Sequence, residues 1–246
     1  MKRFIAAFSL ILLISTFAAA DGYLKMKSHT DPISMMGQEQ PARDTVTEQW
    51  IGDGKMASVS PASTTIVDAN KNVMYIVNHQ AKTYFEASLP LDMSKLMPAE
   101  MAGMMQGMQI TLKVAPTGKK KTIGTRSCDE YDVDLNMMMM PMKMKMYATT
   151  NLPFDYKNYR DKLYPSLIKT QIMGIDAESI KEFEKINGFV IAQEMTGDIM
   201  GAKINQKMEV IEIADKPAPA GIYSVPAGYT KLDSLSMQDY QQLQGR

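Results

Sequence analysis

Thr64-Thr-Ile-Val-Asp68, Val73-Met-Tyr-Ile-Val-Asn78 and Thr83-Tyr-Phe-Glu86 are short β-branched and aromatic runs, separated by the polar segments Ala69-Asn-Lys-Asn72 and His79-Gln-Ala-Lys82. β-Formers between four-residue polar turns are the local signature of antiparallel hairpins. A meander over residues 64–86 therefore anchors the reading. Upstream, Gly22-Tyr-Leu-Lys-Met-Lys-Ser-His29 alternates, with Leu24, Met26 and Ser28 on one side and Tyr23, Lys25, Lys27 and His29 on the other. Residues 31–41 read as a loop. Thr45–Ile51 and Lys55–Ser60 read as strands about the turn signal Gly52-Asp-Gly54.

Downstream, Ile110, Leu112 and Val114 share one side of a strand, and Pro116-Thr-Gly118 is expected to turn the chain. Lys120–Arg126 and Cys128–Leu135 read as the next hairpin. Tyr131, Val133 and Leu135 face one way there, and Asp132 and Asp134 the other, as on a solvent face. Tyr156, Tyr159, Leu163 and Leu167 recur at helical spacing over residues 155–172, with a break expected at Pro165. Asp176 begins a second short helix as its N-cap, and Asn187-Gly188 ends it. Phe189–Met195 and Lys203–Ile213 are the last long strands. Pro217–Gly221 reads as an extended linker and the segment after Leu232 as a polar peripheral tail. No regular βα alternation occurs. The expected class is α+β, a large curved antiparallel sheet with helices on its concave face.

Residues 1–20 read as a leader. Lys2 and Arg3 precede an apolar run from Phe4 to Phe17, and Ala18-Ala19-Ala20 supplies a small-residue cleavage site. Cleavage after Ala20 leaves 226 of 246 residues and a periplasmic or secreted protein. The absence of cysteine at that site argues against a lipid anchor. The expected organisation is a leader over 1–20, one domain over 21–232 and a tail over 233–246. Twenty-five basic against 27 acidic residues remain, a net charge of −2. Such a chain has no electrostatic reason to seek nucleic acid. Cys128 is the single cysteine and is expected to be buried.

Thirteen of the 24 methionines lie between Met93 and Met146. Met93, Met97, Met101, Met104, Met105 and Met108 fall three to four apart, as on one face of a helix over about residues 98–106. Gly103 and Gly107 each cost that helix about 1 kcal/mol relative to alanine, so it should hold only when docked. Met142, Met144 and Met146 alternate with Lys143, Lys145 and Tyr147, which puts sulfur on one side of a strand. These methionines read either as filled core or as the soft walls of a cavity for an apolar ligand or lipid, with Trp50 as core anchor or cavity wall. A transient envelope partner is the other partner considered, and the expected state is a monomer. An alternative is Cu(I) held by the thioethers of Met142, Met144 and Met146, with His29 or His79 as a fourth ligand. The run Met137–Met140 has no assigned role.

Nothing points to an enzyme or a cofactor. There is no Gly-x-Ser-x-Gly, His-Glu-x-x-His, Cys-x-x-Cys or glycine-rich phosphate loop. His79 lies in an expected turn, where a solvated histidine is the ordinary case.

Four pieces carry a resemblance: Ile66-Val-Asp with Met74-Tyr-Ile-Val-Asn and Lys82-Thr-Tyr; Lys121-Thr-Ile-Gly-Thr-Arg-Ser-Cys-Asp-Glu-Tyr131; Ile186-Asn-Gly-Phe-Val190; and Val225-Pro-Ala-Gly-Tyr229. In this order after a leader they resemble an uncharacterised bacterial domain family akin to the periplasmic lipoprotein-carrier superfamily (LolA-like and LolB-like half-barrels). The resemblance implies an antiparallel half-barrel with helices plugging its concave side, an apolar cargo such as an acyl chain, and no catalytic residues. The first test is direct: the full 246-residue precursor, expressed and exported, should yield a mature chain beginning Asp21-Gly22-Tyr23 on N-terminal sequencing, and an uncleaved Met1 would refute the leader reading.

Overall fold

The computed structural model describes residues 21–35, 38–91, 110–137, 140–165, 177–199 and 201–243. In chain order the strands are β1 (Asp21–Thr30), β2 (Ile33–Met35), β3 (Gln38–Gln40), β4 (Arg43–Gly52), β5 (Lys55–Val59), β6 (Ser63–Asp68), β7 (Val73–Asn78) and β8 (Thr83–Ser88). Then come β9 (Ile110–Ile123), β10 (Arg126–Met137), β11 (Met140–Thr149), β12 (Phe189–Ile199), β13 (Ala202–Lys216) and β14 (Thr230–Leu232). The helices are α1 (Tyr156–Asn158), continued by a π-helical turn (Tyr159–Leu163), α2 (Ala177–Phe183) and α3 (Met237–Leu243).

Twelve strands form one sheet in the order β14-β8-β7-β6-β5-β4-β1-β13-β12-β11-β10-β9, and β2 and β3 pair separately. Every pairing in the large sheet is antiparallel except the three-residue β14 beside β8. The α+β expectation, with helices on a concave face, is therefore wrong: the fold is mostly β. Residues 156–165 are helical as read, α1 passing through the π turn to two more helical residues at Tyr164 and Pro165, and the rest of that expectation, 166–172, lies outside the described residues. Helix α2 spans seven residues. It lies beside β9, where the Leu112 N–H donates to Ser179 Oγ at 2.9 Å and the Val114 N–H to Glu182 Oε2 at 2.9 Å.

The meander forms as read. Its turns place Asn72 and Lys82 in the left-handed region, at φ of 53° and 54°. Pro116-Thr-Gly118 does not turn the chain. Strand β9 runs through it, and the β9–β10 register skips from Lys120 opposite Asp129 to Pro116 opposite Tyr131. A residue without an N–H followed by a glycine at φ 72° makes a bulge, not a hairpin. The hairpin turn falls at Gly124, with φ 57°.

Register sorts the side chains, because directly paired residues point to the same side. One row reads Ser28, Met208, Gln193, Met146 and Tyr131 across β1, β13, β12, β11 and β10. The next reads Gln206, Met195, Met144, Val133 and Val114. This methionine face continues through Leu24, Ile51, Met56, Val67 and Met74, all buried. The opposite face of the β9–β13 half carries Lys207, Glu194, Lys145 and Asp132 in one row, of alternating sign. Lys145 bonds Asp132 at 2.7 Å and Glu130 at 3.2 Å, and Lys121 bonds Glu194 at 3.1 Å.

The opposite face of the other half is apolar and covered. Residues 217–229 run across it as a strap, setting Ile222, Tyr223, Val225 and Tyr229 against Tyr23, Trp50, Ile66 and Val77. Tyr223 donates to Asp21 Oδ2 at 2.8 Å. His79 is not a free turn residue: its ring bonds Thr64 Oγ1 at 2.8 Å and the Tyr229 hydroxyl at 3.2 Å, tying the strap to β6. The segment read as a peripheral tail docks too. Ser236 and Asp239 cap α3 reciprocally, Leu235 is buried, and Asn78 Nδ2 donates to Gln242 at 2.9 Å.

Lys185, then the Val114 N–H, hold the Glu182 carboxyl below the usual carboxylate range. With its folded pKa depressed, its contribution is complete above an ordinary pKa of about 4.3 and is lost as pH falls through the lower folded value. Glu182→Gln should lower Tm at neutral pH and flatten the acid limb of a Tm-versus-pH curve; a curve parallel to the parent's would contradict the edge contact.

Candidate functional site

The methionine face holds a cavity of about 380 Å3. The sheet supplies Met26 from β1, Met208 from β13, Met144 and Met146 from β11, and Leu135 from β10. The rows above explain why they meet: Met208 and Met146 both pair with Gln193. The opposing wall is aromatic. The π turn carries Tyr159 and leads to Tyr164, while α2 and the residues after it contribute Phe183, Ile186 and Phe189. The Tyr159 ring lies 4.9 Å from Phe189 and 6.0 Å from Tyr164, centroid to centroid.

Two hydroxyls fix that wall. The Gly188 N–H donates to Tyr156 Oη at 3.1 Å and the Asn187 N–H to Tyr131 Oη at 3.0 Å. Gly188 sits at φ 120°, and a Cβ there would lie 2.7 Å from the Thr149 carbonyl. Only glycine lets the chain pass this close to β11.

Among the described residues the cavity lining includes no Asp, Glu, Lys, Arg or His. Its polar groups are the amides of Gln49 and Gln193 and the hydroxyls of Tyr159 and Tyr164. Burial, then Tyr156 and Glu184, push the Tyr164 phenol up to about 12. Burial, then Tyr164 and Tyr156, push the Tyr159 phenol up as well. Both stay neutral at physiological pH, so the described lining carries no charge.

Of the residues singled out in the sequence, Met144 and Met146 line the cavity, and Met142 is buried on the same face beside Gly197. Met93, Met97, Met101, Met104, Met105 and Met108 lie outside the described residues. Met137 and Met140 pair between β10 and β11, while Met138 and Met139 lie outside the described residues. Trp50 is buried on the opposite face beneath the strap, 4.6 Å from Tyr23, with Lys216 Nζ 3.2 Å above the Tyr23 ring. His29 points away from the methionine face and bonds Asp44 at 2.8 Å and Asp31 at 3.2 Å. Neither histidine stands beside Met142, Met144 and Met146.

Sequence reasoning missed Met208, Gln49, Gln193, Phe183 and Phe189 as partners of the methionine strand. Met26 was visible on the apolar side of β1. That β1 lies beside β13 was not, because this pairing joins residues about 190 positions apart.

These features define a mostly β protein, built on one large sheet, with a methionine- and aromatic-walled cavity that carries no charged side chain among the described residues. Residues 21–229 match the model of the domain of unknown function DUF4412, and the chain belongs to that family. No curated protein matches the chain.

Cys128 is fully buried, and burial pushes its thiol pKa up. A thiol reagent such as DTNB should label it only after denaturation; rapid stoichiometric labelling of native protein would show that β10 is open at this point.

Proposed function

We propose that this chain is an exported, non-catalytic protein that binds an apolar ligand in the cavity between the methionine face and the Tyr159–Phe189 wall. The observation that carries the reading is an approximately 380 Å3 space lined by Met26, Met144, Met146 and Met208 and, among the described residues, by no charged side chain. Ligand pockets commonly enclose about 300–1,000 Å3, mostly apolar with a few placed polar groups. Thioether side chains have several rotatable bonds and repack around differently shaped guests. The export reading rests on the leader at residues 1–20. The resemblance to lipoprotein carriers supports an acyl-type cargo.

The test uses mature protein and 1-N-phenylnaphthylamine, which fluoresces in apolar sites. Saturable binding is expected. Met26 and Met208 are only half-buried at the cavity, so a carboxylate there should be tolerated by the fold. Met208→Glu should weaken the probe about tenfold, or about 1.4 kcal/mol, with circular dichroism unchanged. Absence of saturable binding, or a Met208→Glu variant that binds like the parent, would overturn the proposal.

A further inference from the structure

We infer that the cavity takes an uncharged amphiphile whose head group forms hydrogen bonds, such as an ester, amide or alcohol of an acyl chain, in preference to an ionised fatty acid or a phosphate. The inference rests on the apolar-ligand reading above and narrows it. Four polar side chains line an otherwise apolar space: Gln49, Gln193, Tyr159 and Tyr164. None of them makes a side-chain hydrogen bond to another described residue. Each can both donate and accept. A site that offers such groups discriminates against guests that leave them unpaired.

Charge decides against the ionised alternatives. A carboxylate or phosphate drawn into a space without a counter-ion would lose its hydration uncompensated, and among the described residues no cation lines this one. The lysines of β11, Lys143 and Lys145, alternate onto the opposite face, where Lys145 is already paired. The tyrosines do not ionise at neutral pH and so offer no complementary charge of either sign.

Gln193 is the residue placed to hold the head. It stands between Met146 and Met208 in one cross-strand row, so its amide is flanked by apolar walls on both neighbouring strands. Gln49 is on β4, separated from β12 by β1 and β13, about 14 Å across the sheet at ordinary strand spacing. One small head group cannot engage both amides.

Displacement of 1-N-phenylnaphthylamine by monolauroylglycerol and by laurate, at about pH 8 where laurate is ionised, tests the inference. Monolauroylglycerol should compete at least about tenfold more tightly, a difference of about 1.4 kcal/mol. Gln193→Leu should reduce that preference to about threefold or less, with an unchanged circular dichroism spectrum and thermal midpoint reporting that the sheet has folded. Laurate binding as tightly as the glycerol ester, or a Gln193→Leu variant that keeps the preference, would overturn the inference and leave the apolar-ligand reading standing. If the probe itself does not bind, both fall.

Discussion

Cross-strand register is the constraint on which this molecule depends. A slip of one residue in any pairing would carry a strand's apolar set to the wrong side. The sheet holds its methionine face continuous from β8 to β9 by inserting bulges where the pattern would drift. Between β1 and β13 the register passes from Lys25 opposite Glu212 to Met26 opposite Val210, so Ile211 is the extra residue. That bulge accounts for an isoleucine left more than half exposed. Between β11 and β12 the extra residue is Ile191, and there it is buried. The cavity sits where β1, β13, β12 and β11 run side by side, so its walls are only as well ordered as these registers.

An open sheet must also satisfy or protect its edges. One edge is β14, three residues long. The other is β9, fourteen residues long. Ser179 and Glu182, three apart on α2, accept the Leu112 and Val114 N–H groups that a neighbouring strand would otherwise take. Beyond the Pro116–Gly118 bulge the edge carries Lys119, Lys120 and Lys121, side chains that discourage pairing with a second chain. The short helix thus finishes the sheet and, through Phe183 and the turn at Gly188, also forms part of the cavity wall.

Local patterning made the strands legible. The meander, the alternation in β1 and the sulfur side of β11 all follow from period two, and Cys128 is buried as a small hydrophobe should be. What failed depended on distance along the chain or on context. Pro116-Thr-Gly118 has turn composition, yet it bulges inside a long strand. His79 looked solvent-facing because Tyr229, its partner, lies 150 residues away. The candidate site was half legible: Met144 and Met146 could be placed on an apolar strand side, but their neighbours are set by strand order, which no local pattern carries.

The strap has a consequence for optical work on this protein. Trp50 is the only tryptophan, and it is packed with Tyr23 beneath residues 217–229, on the side of the sheet away from the methionines. Intrinsic emission therefore monitors the seating of the C-terminal segment and the Lys216 ammonium over that aromatic pair. A guest among Met144, Met146 and Met208 would leave the indole almost silent. A change in emission on adding a compound would instead register a loosening of the strap, so the two sides of one sheet can be observed independently.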